Sequence, residues 1–385
     1  MKYSSLAKSY LFVTAFLFTF SVSQVSAQVF AIIGDYGDAG LPEDSVAQLV
    51  KSWHPEFIIT CGDNNYLSGD YNTIDTNIGF YYHQYIFPYN GIYGDSTDTT
   101  TINRFFPSLG NHDLVTANGQ PYYDYFVLPN NERYYDFTWG NIHLFALNSD
   151  SGVGHEPDGT FANSFQAGWL NGKLSSSVST WNIVYFHHAA YSSGGTHGSS
   201  AWMQWPFQQW GATAVFGGHD HIYERLMVNN FPYFVNGTGG RPLYALQTPL
   251  PQSVKQYNAR HGAVKVVASD SCIVFEFRNT ADSLIDSLKI CKPVSSVQAP
   301  ELSSVLWNVF PNPFNKQATL AVNHNLYNAE IKIVDVFGRE IESMKNISGK
   351  KINISGENLV PGIFLFQLFE NDFLIAQGKF LVVDK

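Results

Sequence analysis

Cysteine, basic charge and long apolar runs are all scarce in this chain, and each scarcity excludes something. Three cysteines in 385 residues are too few for a disulfide scaffold or a thiolate-ligated cluster. Cys61 follows the apolar run Phe57-Ile58-Ile59-Thr60 and is expected to be buried and reduced. Cys272 and Cys291 flank a hairpin-like pair of strands; a turn centred on Ala281 and Asp282 sets them opposite each other. A bridge there fits an exported protein, and two unpaired core thiols are the alternative. Lys and Arg number 22 against 32 Asp and Glu, a formal net charge of −10. That balance argues against a basic face for nucleic acid or an anionic membrane. An acidic protein that works on an anion must build positive charge locally, and bound metal does so directly. Beyond the N-terminus no apolar run is long enough to span a bilayer, so the mature chain is expected to have no transmembrane segment.

Met1 to Ala27 reads as a secretory signal. Lys2 and Lys8 give the positive start, Tyr10 to Phe20 the apolar centre, and Val25-Ser26-Ala27 the small residues before a cleavage point. An uncleaved anchor is the alternative. The remaining length exceeds one average domain. We expect a catalytic domain over residues 28–292, a polar Pro-containing linker over 293–305, and a C-terminal β-domain over 306–385. Strand-like runs at Val29 to Ile33, Phe57 to Thr60, Tyr134 to Thr138, Ile142 to Leu147, Trp181 to Phe186 and Ala212 to Val215 are interspersed with helical stretches at Ala47 to Trp53 and Phe165 to Leu174. This alternation indicates a layered α/β architecture with ligands gathered where strands end. In the tail, runs at Ala318 to Val322, Ala329 to Val334, Ile363 to Leu368 and Phe380 to Val383 favour a small β-sandwich.

The chemistry concentrates after the apolar runs. Phe216-Gly217-Gly218-His219-Asp220-His221 ends one of them; an extended backbone would project His219 and His221 to the same side. Asp35, Asp63, Tyr66, Asn111 and His187 follow others. Any one of these reads as readily as a turn carboxylate or a core histidine, but seven oxygen and nitrogen donors from five segments do not. One ion rarely takes seven such ligands, whereas two ions sharing a carboxylate do. Hard oxygens mixed with imidazoles suit iron, zinc or manganese. The dense aromatics Tyr81, Tyr82, Tyr85, Phe87 and Tyr89 fit packing better than a cleft lining, and Arg225 is read as orienting the loop or pairing with Glu224, not as a phosphate clamp. Asn236-Gly237-Thr238 is formally a glycosylation sequon, expected to stay unmodified.

The signatures Gly34-Asp35-Tyr36-Gly37, Gly62-Asp63-Asn64-Asn65-Tyr66, Gly110-Asn111-His112-Asp113, Val184-Tyr185-Phe186-His187 and Gly218-His219-Asp220-His221 resemble the metallophosphoesterase superfamily, and in particular its purple acid phosphatase branch. The resemblance implies a layered metallophosphoesterase-like β-sandwich flanked by helices. It implies that Asp35, Tyr66 and His221 hold Fe(III), that Asn111, His187 and His219 hold Fe(II), Zn(II) or Mn(II), and that Asp63 bridges the two. Most relatives outside that branch carry a histidine two residues after the first aspartate; here the place is Gly37, and Tyr66 stands in as a tyrosinate donor with a visible charge-transfer band. The implied activity is hydrolysis of phosphate monoesters by a metal-bound hydroxide, since a ferric–divalent pair outweighs the three negative charges of its ligands; a ferric ion favours acidic pH, and two divalent ions would move the optimum upward. A phosphodiesterase or nucleotide hydrolase on the same metals is the alternative, and a metal-retaining surface-binding protein without catalysis the more distant one. His112, beside Asn111, and His197, in the flexible run after His187, are the candidates for contact with phosphate or leaving group. His188 is a third, but its adjacency to His187 points it elsewhere on a strand.

The tail carries Val309-Phe310-Pro311-Asn312-Pro313-Phe314-Asn315, Asp335-Val336-Phe337-Gly338-Arg339, Leu359-Val360-Pro361-Gly362-Ile363-Phe364 and Gly378-Lys379-Phe380. Together these resemble the C-terminal sorting domains of type IX secretion cargo in Bacteroidota. The resemblance implies the type IX machinery as a partner and a secreted or outer-surface location; an accessory, carbohydrate-binding β-domain is the alternative. Deleting residues 306–385 separates the two: a sorting tail is needed for export and dispensable for hydrolysis, which assays of cell fractions and of the purified truncation measure.

Overall fold

The computed structural model describes residues 27–94, 100–152, 155–292, 305–371 and 373–384. The expected secretory leader, apart from Ala27, and the expected linker, apart from Val305, lie outside the described residues. The chain divides into two compact units, Met1–Cys291 and Lys292–Lys385.

Two mixed sheets make up the first unit. Strands β1 (Gln28–Ile33), β2 (Phe57–Thr60) and β3 (Phe105–Pro107) are parallel neighbours. After β4 (Tyr135–Trp139), strands β5 (Ile142–Ala146), β6 (Trp181–His188) and β7 (Ala214–Gly218) form a second parallel set. β8 (Tyr223–Val228), β9 (Phe231–Asn236) and β10 (Ser253–Tyr257) follow, then β11 (Gly262–Ala268), β12 (Cys272–Asn279) and β13 (Leu284–Cys291). The six-stranded sheet has the order β13-β12-β11-β1-β2-β3, and the seven-stranded sheet β10-β8-β9-β7-β6-β5-β4.

The central strands are apolar throughout because both their faces are buried. On β6, Ile183 and Tyr185 belong to the core shared by the two sheets, whereas Val184 and Phe186 belong to a second core on the opposite face. That division follows from the period of two along a strand. Across the shared core, Phe216 and Phe234 of the seven-stranded sheet each lie 5.4 Å from Phe275 of the six-stranded sheet, and Tyr223 stacks on Phe277 at 3.9 Å. Helix α1 (Leu41–Ser52) adds Val46, Ala47, Leu49 and Val50 to that core. It starts six residues before the expected Ala47, with Pro42 in its first turn and Glu43 and Asp44 beside it, a combination that favours a helix start. Helix α2 (Phe165–Ser176) is capped by the Ser164 hydroxyl, which accepts from the Ala167 N–H, and it packs Leu170 and Leu174 into the second core. Tyr81, Tyr82 and Tyr85 are buried packing residues.

The second unit is a five-stranded antiparallel sheet: β14 (Trp307–Phe310), β15 (Gln317–Val334), β16 (Glu340–Ser355), β17 (Gly362–Glu370) and β18 (Phe373–Val382). The two expected strands at 318–322 and 329–334 are one. Register shifts between Ala321 and Ile331 carry β15 through the polar stretch that reads as a break. β16 was not expected at all, since only its Ile352 and Ile354 are buried and most of its length is polar.

Cys272 and Cys291 are paired directly across β12 and β13 and form a disulfide, while Cys61 is a buried free thiol. The bridged residues are 19 apart in sequence, and a loop of that size restricts the unfolded chain by about 3 kcal/mol. Cys272→Ser with Cys291→Ser is therefore expected to lower stability by up to about 3 kcal/mol in urea denaturation, with metal content unchanged.

Candidate metal centre

All five donor-bearing segments leave the C-terminal ends of parallel strands β1, β2, β3, β6 and β7. Asp35, Asp63 and His219 have positive φ (54°, 53° and 71°), so the chain bends sharply as each strand ends. A non-glycine residue held there costs on the order of 1 kcal/mol, which neighbouring contacts must offset. Asp35 receives the His219 N–H on both carboxylate oxygens (3.1 and 3.0 Å), and its own N–H donates to Gly62 O at 3.1 Å. Asp113 accepts from the N–H groups of Asn64, Asn65 and Gly110, tying the second ligand loop to the third.

The strand of the expected His219–His221 pair ends at Gly218, and the positive φ of His219 breaks the extended alternation. The two rings reach the centre by a turn and on opposite sides of it. On one side the Tyr66 hydroxyl lies 2.7 Å from Asp63 Oδ2, 3.2 Å from Asp35 Oδ1 and 3.4 Å from His221 Nε2. On the other, His187 Nε2 lies 3.3 Å from the same Asp63 Oδ2, 3.1 Å from Asn111 Oδ1 and 3.0 Å from His219 Nδ1. Asp63 Oδ2 is thus common to both groups, and Asp63 Oδ1 accepts the His112 N–H at 3.0 Å. All seven sequence-selected donors come together.

These separations suit ions. Donors bound at about 2.0–2.2 Å stand about 2.8–3.1 Å apart on an octahedron and about 3.3–3.6 Å apart on a tetrahedron. Carbonyls fix two of the tautomers: His187 Nδ1 donates to Cys61 O and His221 Nδ1 to Pro242 O, both at 2.9 Å. Their Nε2 lone pairs therefore face the oxygens of Asp35, Asp63, Tyr66 and Asn111. Lone pairs crowded in this way need a cation or an extra proton between them. Without metal the electrostatics favour the proton: burial lowers the His187 pKa, yet Asp63 and Asp35 push it up to about 10. Burial, opposed by His187, raises Asp35 to about 8. Burial and both carboxylates also keep the Tyr66 phenol protonated, a preference that an adjacent cation reverses. Asp63, His187 and His219 together form a three-residue cluster able to hold a metal ion.

His112 lies at the mouth, its side chain 34% exposed, with Nδ1 donating to Leu67 O and Nε2 3.9 Å from Asp63 Oδ2. The His197 ring lies 3.7 Å from that of His219, and its backbone N–H donates to Asp220 Oδ1. His188 is buried against Ser149 Oγ and Trp202. Arg225 pairs with Asp286 through two bonds (2.6 and 2.9 Å) and leaves Glu224 to the Ser193 N–H and hydroxyl. The expected Arg225–Glu224 pairing fails because adjacent strand residues face opposite ways. Asn236 is buried and donates to Ile32 O, which leaves its amide inaccessible to a glycan. Sequence reasoning missed Arg241 and Tyr244: the Arg241 guanidinium lies 4.5 Å over the Tyr66 ring, and Tyr244 stacks on His221 at 4.1 Å. Their only sequence signal is that they follow the glycine turn at 237–240.

Two sheets whose parallel strand ends converge on this donor set define a metallophosphoesterase fold. A family match to calcineurin-like phosphoesterases spans residues 15–223, and the chain belongs to that family, which implies metal ions at the site. A secretion system C-terminal sorting domain matches residues 308–382 and points to type IX export to the outer surface or beyond. Among the described residues no helix is long and apolar enough to cross a membrane. The purple acid phosphatase PPD1 of yellow lupin seeds is similar at 18% identity and a TM-score of 0.56, over 70% of this chain and 55% of that one. GAP50, the anchor in the inner membrane complex of Plasmodium, is similar at 17% identity and 0.52, over 70% and 90%. These likenesses concern the fold. No curated protein matches the chain.

Gly37 explains why the tyrosine, and no histidine two residues after Asp35, faces the site. A Cβ at position 37 would overlap the Asn64 backbone, and the Tyr66 N–H donates to Gly37 O at 2.7 Å. The close approach that seats Tyr66 leaves no room for a side chain. Gly37→Ala is expected to force the two loops apart, lowering stability by about 1–3 kcal/mol and reducing bound metal in elemental analysis.

Proposed function

We propose that this chain is an exported phosphatase that hydrolyses phosphate monoesters at a binuclear metal centre. Asp35, Tyr66 and His221 hold Fe(III), Asn111, His187 and His219 hold Fe(II), Zn(II) or Mn(II), and Asp63 is shared. The observation that carries this reading is the position of Asp63 Oδ2, 2.7 Å from the Tyr66 hydroxyl and 3.3 Å from His187 Nε2. When bound, the ions supply positive charge for the phosphate oxygens and make water acidic enough to act as a nucleophile.

The chain's own residues do the rest. Asp63 is fixed by the His112 N–H on Oδ1, so that Oδ2 faces both donor groups. His112 has Nδ1 committed to Leu67 O; its Nε2 faces the mouth, where it delivers a proton to the departing alkoxide. His197, anchored through its backbone to Asp220 and packed on His219, contacts the phosphate from the opposite side. No side chain is required to form a covalent phosphoenzyme.

The test is turnover of an aryl phosphate monoester by purified, metal-loaded protein, compared with a diester and a nucleotide, together with metal analysis and a visible spectrum. Two ions per chain, a tyrosinate band and preference for the monoester are expected. Asn111→Ala is expected to lower turnover by on the order of 100-fold with little unfolding. Unchanged turnover removes Asn111 from the site, and no turnover with both ions bound favours a binding role.

A further inference from the structure

We propose that the segment Arg241–Tyr244 braces the Asp35–Tyr66–His221 position in preference to the other, so that weakening the segment releases the ion held there first; this rests on the two-ion reading above.

The segment touches every donor on one side. The Arg241 N–H donates to Asp35 O at 3.1 Å, and its guanidinium covers the Tyr66 ring at 4.5 Å. Arg241 Nη1 is held by Asp38 Oδ2 at 2.6 Å, and Arg241 O accepts from His261 Nε2 at 2.9 Å, so the side chain and backbone are both fixed. The carbonyl of Pro242 orients His221 through Nδ1 at 2.9 Å. The Tyr244 ring lies nearly parallel to His221, 16° from coplanar, and the Tyr244 N–H donates to His221 O at 3.0 Å.

The donors on the other side are supported mainly from elsewhere, the segment reaching them only indirectly, through the Tyr244 ring 5.9 Å from that of His197. His187 is oriented by Cys61 O, and His219 packs against His197 and His188. The two sides are joined by Asp63 and by the His219 N–H on the Asp35 carboxylate, but Arg241 and Pro242 themselves contact only donors of the first side. The Arg241 guanidinium, 4.5 Å over the Tyr66 ring, holds that ring by a cation–π contact. Arg241 and Tyr244 are positioning residues.

The test follows loss of metal from full-length, metal-loaded protein challenged with a chelator, with released ions and the visible tyrosinate band recorded together. Arg241→Gln and Tyr244→Ala are each expected to accelerate the release phase that removes the band by about tenfold or more, leaving the other phase within about twofold. Tyr244→Phe, which keeps the ring against His221 and loses only the hydroxyl 3.5 Å from His221 Nε2, is expected to fall between the unsubstituted protein and Tyr244→Ala. Equal acceleration of both phases, or of neither, overturns the brace. Should Tyr244→Ala fail to fold, Arg241→Gln carries the same comparison, since that side chain is 24% exposed. Unsubstituted protein that binds fewer than two ions, or shows no band, overturns the metal assignment and the brace with it; two ions and a band with unaltered variants overturn the brace alone.

Discussion

One carboxylate oxygen, Asp63 Oδ2, organises this molecule. It is buried between a phenol and an imidazole, and its partner oxygen is tied to a backbone N–H of the next loop. A carboxylate so placed is tolerable only if positive charge arrives beside it. The electrostatics of Asp63 and Asp35 favour the charged form of His187, and a bound cation would supply the same charge. The sheets beneath the centre supply the rigidity that holds these donors together.

That rigidity is produced by the strand ends. Asp35 and Asp63 follow the ends of neighbouring parallel strands, and both adopt positive φ there. The bends bring carboxylates inward that a regular strand would send past the site. Close backbone approaches at Gly37, Gly62, Gly110 and Gly218 allow the loops to nest; at each, a Cβ would meet the next loop or a ligand side chain. The cost of those bends is offset by Asp113 and Asn64, which bond across loops and hold the second and third segments together.

Much of this was legible in the sequence because buried parallel strands are apolar on both faces and the donors come directly after them. That rule selects seven candidate donors, which the fold brings together, and register counting across the β12–β13 turn sets Cys272 opposite Cys291 while leaving a bridge or two free thiols open. The local geometry was not legible. Strand alternation does not describe His219 and His221, because φ at His219 is a property of the packed turn. Arg225 was assigned the neighbour in sequence, while its partner, Asp286, lies on a strand of the other sheet. β16 escaped because an exposed strand has little apolar pattern to show. Arg241 and Tyr244 carry no motif at all, and only the folded chain brings them to Tyr66 and His221.

The bridge between Cys272 and Cys291 has a mechanical consequence. Cys291 is the last residue of β13 and of the first compact unit, so a pull on the tail reaches the hydrolase there. An edge strand held by hydrogen bonds alone peels from its end, one pair at a time. Here the first pair in line is covalent, and the load passes directly into β12, flanked by β11 and β13. A load arriving at Cys291 must therefore strain the covalent bridge and β12 before it can unzip the sheet from which three of the donor loops leave.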